Sequence, residues 1–209
     1  MTSFCQGVEM SSADEKRQSI LDAATTQFSQ YGFRKTSMED IAREAGLSRP
    51  SLYSYFANKE DVFRGVSQQL SEDAFRNAQI ALTSNRGKFS IGQRIEMALK
   101  DFSVSLYRRL HESNHGEELM DENNRLCGDV AQRTYAEFEA ILAAELEYAM
   151  REEYLDLSFA DITAREAAEI IRYGAIGLKT GARDVNHYQK RVERFVRVYF
   201  AGLEAPVEA

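Results

Sequence analysis

The first residues whose types and spacing could do chemistry are two histidines and a glutamate. His111, Glu112 and His115 match H-E-x-x-H, in which two histidines on one helix face bind zinc and the glutamate acts as a base. Here the two residues between them are polar where apolar residues are usual, Gly116 follows at once, and no third histidine comes after. A polar helix end therefore explains the motif better than a metal-dependent hydrolase, which stays as the alternative. We expect no metal site and no cofactor.

The second set is a cluster of arginine and hydroxyl side chains on a short predicted helix. Residues 37–56 read as a short helix, a turn at Gly46 and a second short helix that Pro50 opens, which is helix-turn-helix geometry. Arginine can pair bidentately with guanine, and hydroxyls can reach phosphates or base edges. The exposed positions of the second helix are expected to be Arg49, Ser51, Tyr53, Ser54 and Tyr55. The pattern alone leaves a DNA-binding motif and a corner within a helical bundle both open.

Helical periodicity and capping residues indicate an all-α chain that positions these groups. Four helix starts fall within about 50 residues, at Ser12 with Glu15, Ser37 with Asp40, Ser48 and Asn58. After a polar segment at 83–92, longer helices are predicted at 91–112, 117–125, 128–154, 163–180 and 186–203. No sustained period-two alternation predicts a strand.

The two cysteines and the chain start bound the compartment. Cys5 and Cys127 form neither a disulfide framework nor a paired zinc spacing, so both are expected to be unpaired thiols. No apolar run approaches the ~18–20 residues of a membrane span, and the first residues lack the basic and apolar segments of a secretory signal. These features favour a cytoplasmic protein.

Several short motifs follow one another in residues 16–66. In order they are I-L-x-A-A-x-x-x-F at 20–28, Y-G-F at 31–33, T-S-M-x-D-I-A at 36–42, A-G-L-S at 45–48, L-Y-x-Y-F at 52–56 and N-K-E-D at 58–61. Together they resemble the N-terminal DNA-binding domain of the TetR family of bacterial repressors, over about a quarter of the chain. Residues 1–11 are small, polar and without a helical pattern, so a flexible tail is expected there. The resemblance implies a three-helix DNA-binding domain at 12–64 and a larger helical effector-binding and dimerisation domain at 65–209.

The resemblance also implies which residues touch DNA. Base or nearby sugar contacts are expected from Arg49, Pro50, Ser51 and Tyr55, and phosphate contacts from Ser37, Ser48, Tyr53 and Lys59. Ser54 replaces an aromatic residue that is common in the family, and Tyr55 replaces a frequent histidine. The operator sequence therefore stays open.

In the C-terminal part the resemblance implies a dimer and an effector. The last two predicted helices are the interface candidates, through Ile170, Gly174, Gly177, Val192, Phe195, Val196 and Tyr199. Such a dimer pairs with a near-palindromic operator whose half-sites lie ~34–36 Å, or a multiple of that, apart. Candidate effector contacts are Phe102, Leu106, Tyr107, Tyr135, Phe138, Leu142 and Tyr173, which suggest an apolar or aromatic ligand. Ordinary core packing is the alternative for both sets.

The net charge of −7 argues at first against a nucleic-acid partner. Divided by region, residues 1–64 carry −1 and residues 65–209 carry −6, so most of the excess acid lies outside the proposed DNA-binding domain. The leading hypothesis is a homodimeric regulator, most simply a repressor released by a small molecule, and not an enzyme. The alternatives are the metal-dependent hydrolase and a helical protein-interaction module that has lost DNA binding.

Overall fold

The computed structural model describes residues 11–152 and 155–203. Their regular secondary structure is helical, and no strand occurs among them. The helices are α1 (Ser12–Tyr31), α2 (Met38–Glu44), α3 (Arg49–Tyr53), α4 (Lys59–Thr83), α5 (Ile91–Leu99), α6 (Ser105–His111), α7 (Gly116–Arg151), α8 (Ala164–Gly177) and α9 (Val185–Ala201). A π-helical turn at Lys100–Val104 joins α5 to α6, and a 3₁₀ turn lies at Ser158–Ala160. The all-α prediction is confirmed.

The helix starts follow the predicted capping chemistry. Ser37 Oγ accepts a hydrogen bond from the backbone N–H of Asp40, and the Asp40 carboxylate accepts one from the Ser37 N–H, which completes a capping box. Ser48 caps α3, and the Asn58 side chain accepts from the N–H of Asp61. The first cap is Ser11 rather than the predicted Ser12, because Ser11 and Asp14 have the same box spacing one residue earlier.

Two predicted helix boundaries differ in an informative way. The single helix expected at 91–112 is interrupted by the π-helical turn, where one extra residue is accommodated. The helices expected at 117–125 and 128–154 are joined as α7, with non-helical backbone at Cys127 (φ −128°, ψ 18°) marking the predicted break. Cys127 itself is buried.

The chain divides into two compact units. The first contains residues 1–67 and 114–126, and the second contains 68–113 and 127–209. The boundary at Ser67 lies close to the expected one, but segment 114–126, assigned by the sequence to the second domain, groups with the first unit. Two hydrogen bonds join this segment to the first unit: the Glu118 carboxylate accepts from the Arg34 N–H at 2.7 Å, and Ser67 Oγ donates to Asn123 Oδ1 at 2.7 Å. The expected tail, apart from Ser11, lies outside the described residues, as does Cys5.

Each unit has its own core. In the first unit, Phe28 of α1, Phe33 of the loop after α1 and Phe63 of α4 form a cluster of rings with centroids 5.2–5.7 Å apart. A Cβ at Gly65 would lie 2.9 Å from Leu21, so this glycine lets α4 approach α1 closely. In the second unit, α5, α7, α8 and α9 bury a continuous apolar cluster. Within the described ranges, none of the helices has both the length and the apolar character needed to cross a bilayer.

Candidate functional site

The helix-turn-helix at 37–56 is built from short-range features of the sequence. Gly46 adopts a positive φ of +66° between α2 and α3, a conformation that favours glycine, and no atom lies within 4 Å of where its Cβ would be. The next N–H, of Leu47, donates to the carbonyl of Ala42 at 2.9 Å and closes the turn. Ser48 then starts α3, so two capped helices are fixed on either side of one tight turn.

The faces of α3 separate core from solvent. Leu52 is fully buried and Phe56, just beyond the helix, is 6% exposed, and both pack into the first unit. Arg49, Pro50 and Tyr53 are exposed on the other side, while Ser51 and Tyr55 are half-buried. Because Leu52 and Phe56 anchor α3 in the core of the first unit, the polar residues on its other side are held in fixed positions facing solvent.

Arg49 and Tyr53 form a pair on this exposed face. The Arg49 guanidinium carbon lies 5.6 Å from the centre of the Tyr53 ring, within cation–π range. A hydrogen bond with Tyr53 is the main reason why the pKa of Arg49 is raised. Since both side chains are exposed, the pair offers one planar cation and one hydroxyl to a partner such as DNA.

The two predicted phosphate-binding serines are both helix caps. The Ser37 hydroxyl donates to Asp40 Oδ2 at 2.6 Å, and hydrogen bonds from Ser37 lower the pKa of Asp40. The Ser37 hydroxyl proton is thus already bonded to the anionic Asp40 carboxylate and is not available to a phosphate. Ser48 Oγ only accepts, from the N–H of Ser51 at 3.3 Å. Of the two serines, Ser48 is therefore better suited to contact a phosphate.

The Lys59 side chain binds backbone carbonyls of the first unit. Its Nζ donates to the carbonyl oxygens of Phe33 at 2.7 Å and Thr36 at 2.9 Å, and it lies 4.4 Å from the centre of the Phe33 ring. Two of its three N–H donors are therefore used to tie α4 to the loop after α1. The sequence missed this role, because the carbonyls that Lys59 binds lie 23 and 26 residues earlier in the chain.

The H-E-x-x-H residues do not share one helix. α6 ends at His111, whose ring stacks on Tyr107 with centroids 3.7 Å apart. His115 precedes α7, and its Nδ1 lies 3.7 Å from Glu118 Oε2. Over residues 11–152 and 155–203, no group of three or more histidine, cysteine, aspartate or glutamate side chains could hold a metal ion. The zinc-hydrolase hypothesis required two histidines one turn apart on a continuous helix, and it is not supported.

Most of the candidate effector contacts are buried together in the second unit. Phe102 stacks on Phe138 at 4.2 Å and meets Tyr135 edge-on at 5.7 Å. Tyr107 and Leu142 are buried in the same cluster, with Leu106 partly buried against it. Tyr173 is not among them: it is 57% exposed, and the Arg172 guanidinium lies over its ring at 3.8 Å.

The candidate dimer residues are divided between core and surface. Val192 and Val196 are buried inside the protomer, because they form the stripe of α9 that faces its own core. This corrects their placement at an interface. A Cβ at Gly174 would overlap the Phe195 ring, so these two residues pack α8 on α9, and Tyr199 donates to the Ala167 carbonyl at 3.4 Å.

On the outer side of the same helices, apolar groups face solvent. Ile170 is 44% exposed, and Val198, which the sequence analysis did not select, is 71% exposed. Open space surrounds the position that a Cβ at Gly177 would take. Exposed Tyr173 lies on α8 as well. The exposed members of this set are the ones that remain available to a second copy of the chain.

Known proteins are similar to this chain in its N-terminal helix-turn-helix region. The family model for bacterial regulatory proteins of the tetR family matches residues 20–66. The transcriptional regulator AcrR of Shigella flexneri is 45% identical over 60 residues, 29% of this chain and 27% of AcrR. The chain spans less than half the length of the curated relatives it matches first.

Solved structures extend the likeness to the whole fold. A transcriptional regulator from Cytophaga hutchinsonii matches with a TM-score of 0.78 at 20% identity, over 92% of this chain and 100% of that one. SmeT, the repressor of a Stenotrophomonas maltophilia multidrug efflux pump, matches with a TM-score of 0.65 at 18% identity, over 92% and 93%, and has also been solved with triclosan. Residues 20–66, which contain the helix-turn-helix, are therefore a domain of the tetR family of bacterial regulatory proteins.

Proposed function

We propose that this protein is a homodimeric, sequence-specific DNA-binding transcriptional regulator, a repressor that a small-molecule effector releases from its operator. The observation that carries this proposal is α3, which exposes Arg49, Pro50 and Tyr53 while Leu52 beneath them is fully buried. A five-residue helix that buries one side and exposes the other contributes little to the core of a helical bundle, but it fits the major groove of DNA. That SmeT is described as a repressor supports the direction of control.

In the proposed complex, α3 contacts base edges through Arg49, Pro50, Ser51 and Tyr55. Ser48 and Tyr53 contact the flanking phosphates. Ser37 and Lys59 have smaller parts, because the Ser37 hydroxyl and two of the three Lys59 donors are already engaged. No acidic residue occurs from Gly46 to Lys59. The strip of chain nearest the DNA therefore has a local charge that favours phosphates, although the whole protein is acidic.

The test is binding of the DNA upstream of the protein's own gene, measured by fluorescence anisotropy with excess non-specific competitor. Arg49→Ala should weaken binding by about tenfold or more, because one bidentate arginine–base contact contributes about 1–3 kcal/mol. Arg76→Ala, which removes an exposed arginine of the second unit that pairs with Asp73, is the matched control and should bind normally. If the wild type binds neither this DNA nor any fragment in a genomic selection, the proposal fails.

We also propose that the dimer uses the outer side of α8 and α9. Ile170, Tyr173 and Val198 expose apolar surface there, and open space around Gly177 allows a second backbone to approach closely. Ile170→Glu should shift the protein from dimer to monomer in sedimentation-velocity experiments. Ile80→Glu, an equal change at an exposed isoleucine of α4, should leave the dimer intact. A wild-type monomer at about 10 µM would contradict this assembly, since stable regulators dimerise well below that concentration.

The effector, in this proposal, binds the second unit. Its aromatic core around Phe102 and Phe138 supplies apolar contact area. Residues 59–67 of α4 belong to the first unit and residues 68–83 to the second, so this helix connects the two covalently and is the candidate route by which the effector changes the spacing of the two DNA-binding domains. We place the protein in the cytoplasm, where its operator would be, and assign it no catalytic activity.

A further inference from the structure

The second unit buries an arginine whose guanidinium is only partly paired. Arg94, in the first turn of α5, has no exposed surface. Its Nη1 donates to the carbonyl oxygen of Leu82 and to Oε2 of Glu145, both at 2.5 Å. Its Nε and Nη2 are buried and have no hydrogen-bond partner among the described residues. Unpaired buried donors are costly, and charged ones more so, so this edge of Arg94 calls for a partner.

The unpaired nitrogens are the right two for recognising an anion. In a guanidinium group, Nη1 lies on the side of Cδ, while the N–H of Nε and one N–H of Nη2 point the same way on the adjacent edge. That edge is the fork that accepts both oxygens of a carboxylate or two oxygens of a phosphate. In Arg94 the Nη1 donors are used, and the two nitrogens of the fork have no hydrogen-bond partner among the described residues.

Arg94 shares its carboxylate partner with a second arginine. Glu145, whose side chain is 2% exposed, also pairs with Arg86 through both carboxylate oxygens. The Glu145 carboxylate thus faces two guanidinium groups. Arg86 is 40% exposed and lies over the Tyr148 ring, so water stabilises its charge. Arg94 has no such access, and an added anion would accept hydrogen bonds from the two nitrogens that lack a partner.

Arg94 and Glu145 lie among buried apolar residues of their own helices. The buried neighbours of Arg94 and Glu145 along their helices are Ile91, Ile95, Ala98, Leu142 and Leu146. Eight residues beyond Arg94, Phe102 stacks on Phe138, a separation of about 12 Å at the rise of a helix. A charged fork therefore stands at one end of an apolar and aromatic region about the length of a small amphiphilic acid.

We propose that Arg94 binds the carboxylate of a small-molecule monocarboxylate through Nε and Nη2, with the apolar or aromatic body of that molecule directed along α5 and α7 toward Phe102. This inference rests on the proposed function, because it names the chemical class of the effector. A phosphate monoester has matching oxygens but carries nearly two charges at neutral pH, and burying a second charge costs more than burying one. Arg94 is thus the specificity-determining residue for a single acidic group.

The experiment compares acids with their uncharged amides. The full-length protein is titrated by calorimetry with 4-phenylbutyrate and octanoate, and with 4-phenylbutyramide and octanamide. At least one acid should bind about tenfold or more tightly than its amide, because a charge-assisted fork is worth about 1.5–3 kcal/mol per hydrogen bond. In a ¹H–¹⁵N spectrum of the arginine side chains, the Nε–H resonance of Arg94 should shift with the acid and not with the amide.

Two arginine variants locate the site. Arg94→Lys keeps a cation near Glu145 and Leu82 but removes the fork, so it should lose about tenfold or more in acid affinity. Arg172→Lys is the matched control, since Arg172 is also partly buried in the second unit and donates from Nε to Glu139 at 2.6 Å. It should bind the acid as the wild type does. Circular dichroism checks that both variants fold, and if Arg94→Lys does not, the acid–amide comparison and the Nε–H shift decide alone.

The outcomes separate this inference from the function on which it rests. Equal affinity for acid and amide, an acid affinity that survives Arg94→Lys, or no acid binding up to about 10 mM would overturn the carboxylate site. Operator binding in the same preparation is measured without ligand. DNA binding with no acid binding refutes the inference and leaves the regulator intact, whereas acid binding at Arg94 with no DNA binding refutes the regulator.

Discussion

Replacing Lys59 with methionine removes an ammonium group that the structure places inside the first unit. The Lys59 Nζ donates to the carbonyl oxygens of Phe33 and Thr36 and lies over the Phe33 ring. Phe33 and Thr36 are 5% and 2% exposed, so water can replace these hydrogen bonds only poorly. Methionine retains most of the apolar stem, which isolates the effect of the charged end.

The expected loss follows from those contacts. Two charge-assisted hydrogen bonds at the lower end of their range contribute about 3 kcal/mol, and the cation–π contact about 0.5 kcal/mol. The thioether recovers part of this by packing on Phe33. We therefore expect the free energy of unfolding to fall by about 2–3 kcal/mol, which corresponds to about 5–10 °C in Tm for a chain of this length.

The assay is thermal unfolding followed by circular dichroism at 222 nm, with Lys35→Met as the matched control. Lys35 is exposed in the same loop, and its replacement should change the unfolding free energy by no more than about 0.5 kcal/mol. If instead Lys59 acts mainly on a DNA phosphate, Lys59→Met would unfold with the same Tm as Lys35→Met and lose only DNA affinity. That pair of results would refute the assignment of Lys59 as a tie within the domain.

Two further predictions concern packing and pH. Gly174→Ala should lower the unfolding free energy by about 1–3 kcal/mol, since the new Cβ would overlap the Phe195 ring. Gly128→Ala is the control: its Cβ would enter open space, so the change should be neutral or stabilising by up to about 1 kcal/mol. Equal Tm values for the two variants would contradict the close approach of α8 and α9. The pKa of Asp40 is held below its ordinary 3.8 by hydrogen bonds from Ser37, so its charged form contributes stability above that pH, and the contribution is lost as the pH falls through the lowered pKa. Urea unfolding at pH 5 and pH 3 should show a smaller acid-induced loss for Asp40→Asn than for the wild type, and an unchanged loss would argue against this cap.

Features that depend on neighbouring residues could be predicted from the sequence. The caps at Ser37, Ser48 and Asn58 were predicted because the capping side chain and the N–H it accepts from lie three residues apart. The break in α7 at Cys127 was predicted from a gap in the helical pattern. The first cap was placed one residue late, since Ser11 with Asp14 and Ser12 with Glu15 have the same spacing and only the folded chain selects between them.

Features that depend on distant residues could not be predicted. Val192 and Val196 form an apolar stripe with helical spacing, and such a stripe indicates burial without saying whether the cover is the same chain or a second copy. Arginine is almost always exposed, so nothing in the sequence marks Arg94 as buried. Its partner Glu145 lies 51 residues away and α5 ends in a π-helical turn that local propensity does not predict.

The acidity of the chain limits how the proposed DNA contact can work. Segment 114–126 adds four carboxylates and Arg125 to the first unit, which then holds nine basic and thirteen acidic side chains. Non-specific affinity grows with the number of cations that replace counterions on phosphates, and Lys59 is largely withdrawn from that number. Binding at physiological salt must then come from contacts that a random sequence does not offer. Arg49, held at the Tyr53 ring and followed by ten residues without an acid, is the group best placed to make them, so the proposed regulator should depend on base recognition more than on charge.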